Sequence, residues 1–224
     1  MAGPKQRKIA IVGSRAVGPL PPPLPLRPPP RLAKADGTGK SSLTVQFVDG
    51  HFVESYYPTI ENTFSKVIRY KNQEYATEII DTAGQGTTAR LGRGQTADHS
   101  LQDEYSILNS KHFIGIHGYM IVYSVANKQS FEMARIIRDK ILNHLAAEYV
   151  PLVIVGNKSD LRPEQRQVTA EEGKALQTEL NCGWTEASAR YNENVQKAFE
   201  LMIGEIEKSQ NPSEPAGGSK CHVM

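Results

Sequence analysis

The residues of this 224-residue chain best suited to chemistry on phosphate are a glycine turn and, further along, a lysine followed by two serines. Gly13-Ser-Arg15-Ala16-Val17-Gly18 follows a short apolar run, and Lys40-Ser41-Ser42 opens a segment with helical spacing. Joined, the two halves read G-x-x-x-x-G-K-S. In such a loop the backbone N–H groups converge on an anion and a helix N-terminus adds its dipole. Lys40 would neutralise charge on the β- and γ-phosphates of a nucleotide, and the Ser41 hydroxyl would ligate Mg2+. Either half alone is more simply a glycine turn or an exposed lysine; the strand before and the helix after argue against that. An uninterrupted alternative, Asp36-Gly37-Thr38-Gly39-Lys40-Ser41, lacks a leading glycine because Lys34 holds that place. Residues 26–32, dominated by proline, also offer it no preceding strand. The split motif is preferred.

These halves need a scaffold, and the rest of the sequence supplies one. Strand patterns lie at 8–12, at 64–70 and 74–81 with a turn at 71–73 between them, and at the strongly apolar runs 118–125 and 151–157. Helical spacing marks 41–48, 130–147, 170–180 and 193–208. Alternation of this kind implies an α/β fold, with a mostly parallel six-stranded sheet and helices on both faces. One domain over 1–208 and a flexible tail over 209–224 are expected. Residues 19–39 and 86–102 carry no periodic buried face and read as disordered insertions within that domain.

Composition narrows the partners. A net charge of +2 without a dense basic stripe gives no reason to expect nucleic acid. Two cysteines, Cys182 and Cys221, cannot build a disulfide framework, which fits a reducing compartment. Residues 1–10 lack the apolar core of a signal peptide, and no run approaches the roughly 18 apolar residues of a spanning helix. Membrane contact would have to come from a covalent lipid or an interfacial surface.

With 19–39 and 86–102 set aside, the chain resembles the Ras family of small GTPases over almost its full length. It is most similar to the Rheb branch, whose phosphate-loop arginine is matched by Arg15. The resemblance implies the P-loop NTPase (small G-protein) fold. Residues 56–64, Y-Y-P-T-I-E-N-T-F, resemble that branch's switch I. There Thr59 would bind Mg2+ and sense the γ-phosphate, and Tyr56 would lie over the phosphates; Tyr57 departs from the expected aspartate. Phe52 stands where the family sets an aromatic against guanine, although a core phenylalanine is the plainer reading. Asp81-Thr-Ala-Gly84-Gln85 matches switch II: Asp81 would hold Mg2+ through water, the Gly84 N–H would meet the γ-phosphate, and Gln85 would orient the hydrolytic water.

Asn157-Lys158-Ser-Asp160 is the discriminating motif. The Asp160 carboxylate can accept from guanine N1–H and the exocyclic amine, a donor pair adenine lacks. Ser188-Ala189-Arg190 resembles the last base-contact loop, with the Ala189 N–H meeting the base oxygen. The resemblance therefore implies a monomeric GTP/GDP switch with slow hydrolysis, aided by a GTPase-activating protein. Switch I and II would serve effectors, with growth signalling through the TOR kinase complex. The other classes weighed are a nucleotide-free interaction protein, should the insertions break the site, and a P-loop ATPase, which Asp160 opposes.

The C-terminal Cys221-His-Val-Met is a C-a-a-X box whose last residue favours farnesylation of Cys221. Only Lys220 adds nearby positive charge, so a single lipid would give reversible attachment at the cytoplasmic face of endomembranes. The first insertion parts Gly18 from Lys40, and the second parts Gln85 from Asp103-Glu-Tyr-Ser. Residues 19–30 could serve as a polyproline ligand. Excising either segment restores a family motif, which favours two short introns translated in frame. Transcript reads crossing both segments, with no shorter form, would dismiss that origin.

Overall fold

The computed structural model describes residues 3–14, 37–53, 61–82 and 115–211. Its most apolar runs become its central strands: β4 (Gly118–Ser124) and β5 (Leu152–Asn157) are buried at every residue, as strands covered on both faces must be. β1 (Lys5–Val12) begins exposed and ends buried. It pairs in parallel with β3 (Gln73–Thr82) on one side and with β4 on the other. β2 (Glu61–Tyr70) runs antiparallel to β3 at the edge, and β6 (Gly183–Ala187) pairs in parallel with β5. The six strands lie in the order β2-β3-β1-β4-β5-β6, a mostly parallel sheet as expected.

Two readings in the β2–β3 hairpin are corrected. The hairpin turn holds two residues, not three: Lys71 and Asn72 both take positive φ (45° and 63°), and Tyr70 pairs directly with Gln73. That left-handed pair matches the right-handed twist of the strands it joins. β2 also starts at Glu61, three residues before the pattern predicts, because its polar first residues can pair at an edge without being buried.

Helices cover both faces. α1 (Lys40–Asp49) and α4 (Val195–Gln210) pack on the side of Ile9, Ile11, Ile79, Met120 and Val122, where Phe47 stacks on Phe199 with centroids 3.8 Å apart. α2 (Lys128–Leu145) and α3 (Ala170–Leu180) cover Ala10, Val12, Ile121 and Tyr123. The alternation of Ile9, Ala10, Ile11 and Val12 between the two cores is the period-two geometry of β1. α2 starts two residues before the pattern at 130 because Asn127 accepts from the Ser130 N–H at 2.9 Å. It stops short of 147 at Ala146, whose backbone is left-handed. α3 matches its predicted range and opens with a capping box between Thr169 and Glu172. α4 runs from 195 rather than 193, since Asn194 is left-handed, and continues to Gln210.

β1 is also tied to α4 at its exposed end. Glu207 accepts from Lys5 Nζ at 2.9 Å and from Arg7 Nε at 3.1 Å. Among the described residues, no helix is long and apolar enough to cross a membrane.

Candidate functional site

The chain leaves β1 and builds strands outward on both sides of it, so the carboxyl end of β1 is where the winding reverses. Ligands of open α/β sheets bind outside such a point. The carboxyl ends of β1, β3, β5 and β6 carry Gly13, Asp81, Asn157 and Ser188, all on this edge.

Gly13 follows the last residue of β1 and passes tightly beneath β4. A Cβ there would lie 2.4 Å from the Val122 carbonyl oxygen and 3.3 Å from Lys40 Cδ. Thr38 Oγ1 donates to the Ser14 carbonyl over a long 3.4 Å, which brings the segment entering α1 alongside the end of β1. Gly39 caps α1 with a left-handed backbone (φ +79°), and its carbonyl accepts from the Leu43 N–H at 2.9 Å. Lys40 is buried, a costly setting for an ammonium unless anionic groups face it.

Asn157 joins two loops across this edge. Its Nδ2 donates to the Thr38 carbonyl at 3.0 Å, and its Oδ1 accepts from the Ala189 N–H at 3.2 Å. The next residue, Lys158, has φ +69°, and the Ser159 N–H donates to the Ala187 carbonyl at 3.1 Å. The turn thus brings half-buried Asp160 beside buried Ser188, whose Oγ donates to Asp160 Oδ1 at 2.6 Å. One fully buried amide therefore orients both the segment ahead of α1 and the loop after β6.

Asp81 is fully buried at the end of β3, opposite Ile11 of β1. Neither of its carboxylate oxygens meets hydrogen-bond geometry with a described group. Burial pushes the carboxyl above its ordinary range, against the opposing pull of the Ser41 hydroxyl and the Lys40 charge. A buried carboxylate beside the Ser41 hydroxyl is a hard-oxygen set that fits a divalent cation such as Mg2+.

The model of the Ras family matches residues 34–208. The chain is 63% identical over 223 residues to the small monomeric GTPase RhbA of Aspergillus fumigatus, spanning 100% of this chain and 99% of that one. It is 60% identical to the GTP-binding protein rhb1 of Schizosaccharomyces pombe over the full length of both, and 40% identical to human GTP-binding protein Rheb over 98% of each. This chain belongs to the Ras family. The relatives set it on the Rheb branch, and membership makes it a small GTPase, a GTP hydrolase by family. The Ras-family match begins at residue 34, yet β1 lies at the centre of the sheet, so the fold takes in residues upstream of the match.

Among the Ras-family motif residues, the structure brings together Gly13, Lys40, Ser41, Asp81, Asn157, Asp160, Ser188 and Ala189 at one sheet edge. Ser42 lies half-buried in the first turn of α1, and Lys158 between Asn157 and Asp160. Phe52 is partly buried and packs against the core on the α1–α4 side. Arg15, Ala16, Val17, Gly18, Tyr56, Tyr57, Thr59, Gly84, Gln85 and Cys221 lie outside the described residues. The sequence reading passed over Thr38 and Gly39, the residues that Asn157 holds. Their signal was the G-T-G-K-S run, set aside for want of a leading glycine.

Proposed function

We propose that this chain is a guanine-nucleotide switch that binds GDP and GTP with Mg2+ at the edge formed by Gly13, Lys40, Asp81, Asn157 and Asp160. The observation that carries the proposal is the buried Asn157 amide, which holds a phosphate-type loop and a base-type loop in fixed relation. Backbone amides at the start of α1 and the Lys40 ammonium meet the phosphates. Ser41, and Asp81 through water, would hold Mg2+, whose charge would offset that of the phosphate oxygens. Asp160, oriented by Ser188, accepts from the guanine ring and excludes adenine. A base oxygen reaches the Ala189 N–H by sharing it with Asn157.

Family membership supports the remaining roles. Thr59 and Gly84 register the γ-phosphate, Gln85 orients the attacking water, and a GTPase-activating protein and an effector read switches I and II. The effector is the TOR kinase complex, and a farnesyl group on Cys221 holds the chain reversibly on the cytoplasmic face of endomembranes. Binding of fluorescent GDP, with Mg2+ or with chelator and with ATP as competitor, tests the central claim. Mg2+-dependent binding that ATP does not displace is expected, both for the full chain and for one lacking 19–39 and 86–102. Failure of both chains to bind would leave an interaction protein without a nucleotide.

A further inference from the structure

We infer that the end of the 19–39 segment is itself part of the phosphate loop: Gly37-Thr38-Gly39, joined to Gly13-Ser14 at the end of β1, closes the cradle in the full-length chain, and Gly39 does the work that the split motif gives to Gly18. The inference rests on the nucleotide-binding reading and assigns the residue that completes it.

Connectivity is the first ground. The residue bonded to Lys40 is Gly39, whereas Gly18 lies 22 positions earlier. Conformation is the second. Gly39 has φ +79°, where any side chain is strained, and a Cβ there would lie 2.2 Å from Asn157 Nδ2. A glycine is therefore required at 39 by both backbone and neighbour. Position is the third ground. Thr38 and Ser14 are both buried, the Thr38 hydroxyl reaches the Ser14 carbonyl, and the Thr38 carbonyl is held by Asn157. The two halves meet directly, leaving residues 15–36 as the connection between them. The last ground points to the ligand. The buried Asp81 carboxylate, whose oxygens meet no hydrogen-bond geometry with a described group, stands opposite Ile11, two residues before the Gly13 against which the Lys40 side chain lies. The helix start that Gly39 caps thus lies at the same sheet edge as this buried carboxylate, the pairing of cation and anion partners that a nucleotide phosphate with its metal would take.

Glycine substitutions in two chains test the assignment, with GDP and Mg2+ as the probe. In the 224-residue chain, Gly39→Ala should weaken GDP binding by about tenfold or more, while Gly18→Ala should leave it within about twofold. In a chain lacking 19–39, where Gly18 precedes Lys40, Gly18→Ala should take over the loss. The reverse pattern in the full chain overturns the inference. Should Gly39→Ala fail to fold, the amide resonances of the unsubstituted full chain decide. The Gly39 N–H signal should move on adding GDP and Mg2+ while that of Gly18 stays; a Gly39 signal that does not move overturns the inference. Binding by the shortened chain alone overturns the inference and leaves the nucleotide reading intact, whereas binding by neither chain removes both.

Discussion

Ser188 Oγ donates to Asp160 Oδ1 at 2.6 Å while accepting from the Tyr191 N–H at 3.2 Å, so the serine is fixed from one side and fixes the aspartate on the other. An oriented carboxylate keeps its second oxygen available for donors on a base. Ser188→Ala removes the orienting bond and leaves the carboxylate in place. GDP affinity should fall by about tenfold to a hundredfold, the worth of one charge-assisted hydrogen bond. The midpoint of thermal unfolding of the nucleotide-free protein should fall by about 2–6 °C, since the Tyr191 N–H and Asp160 both lose a partner; titration with labelled GDP and a thermal melt check the two.

Asp81 sets ligand binding against stability. Its buried carboxylate has no hydrogen-bond partner among the described residues, so removing the charge should relieve the empty protein. Asp81→Asn should stabilise the nucleotide-free chain by about 1–2 kcal/mol in urea unfolding. The same substitution should abolish the Mg2+ dependence of GDP binding. A loss of stability without nucleotide would contradict the assignment of Asp81 as a cation ligand held ready.

Gly173 of α3 lies under the only tryptophan of the chain. A Cβ there would come within 2.5 Å of Trp184 Nε1, which donates to the Tyr123 hydroxyl at 3.2 Å. Gly173→Ala gains helix propensity but displaces the indole and breaks that bond. A net loss of about 1–2 kcal/mol is expected. Intrinsic fluorescence, which Trp184 dominates, should shift with it.

Glu207 gives a pH signature at the far end of β1. Burial raises its carboxyl pKa, but the hydrogen bonds from Lys5 and Arg7 outweigh burial and hold it below the ordinary range. A depressed folded value means stability that is fully present above the unfolded value, near 4.5, and is lost as pH falls through the folded one. Glu207→Gln should cost about 1–3 kcal/mol at pH 7. The gap to the unsubstituted chain should narrow steadily below pH 4.5 in urea titrations.

β4 and β5 were legible because strands buried on both faces require unbroken apolar runs, and 118–125 and 151–157 supply them. β6 was not located, since its five residues include Gly183 and Glu186 and it follows α3 with only Asn181 and Cys182 between. The motif at Asn157 was visible from its spacing, but its function as a clamp was not. That function depends on the Thr38 carbonyl and the Ala189 N–H, which only the folded sheet brings within reach. Gly39 was passed over for a related reason. A linear template asks for a glycine at 34, while the fold supplies Gly13 from another strand, across a gap no template spans.

β1 leaves the ribosome before either of its partner strands, and it cannot pair until much more of the chain is made. Lys5 waits for Tyr75, and Ile9 waits again for Gly118. The central strand of the sheet is thus made well before its partners, and both insertions lengthen its wait. Their thermodynamic effect is small, because loop closure grows only with the logarithm of length; the segment 19–39 adds about 0.3 kcal/mol to the β1–β3 closure. Their effect in time is larger. During translation the apolar end of β1, from Ile9 to Val12, stays uncovered for every residue added, a period in which a chaperone or a second nascent chain competes with β3 for the same edge.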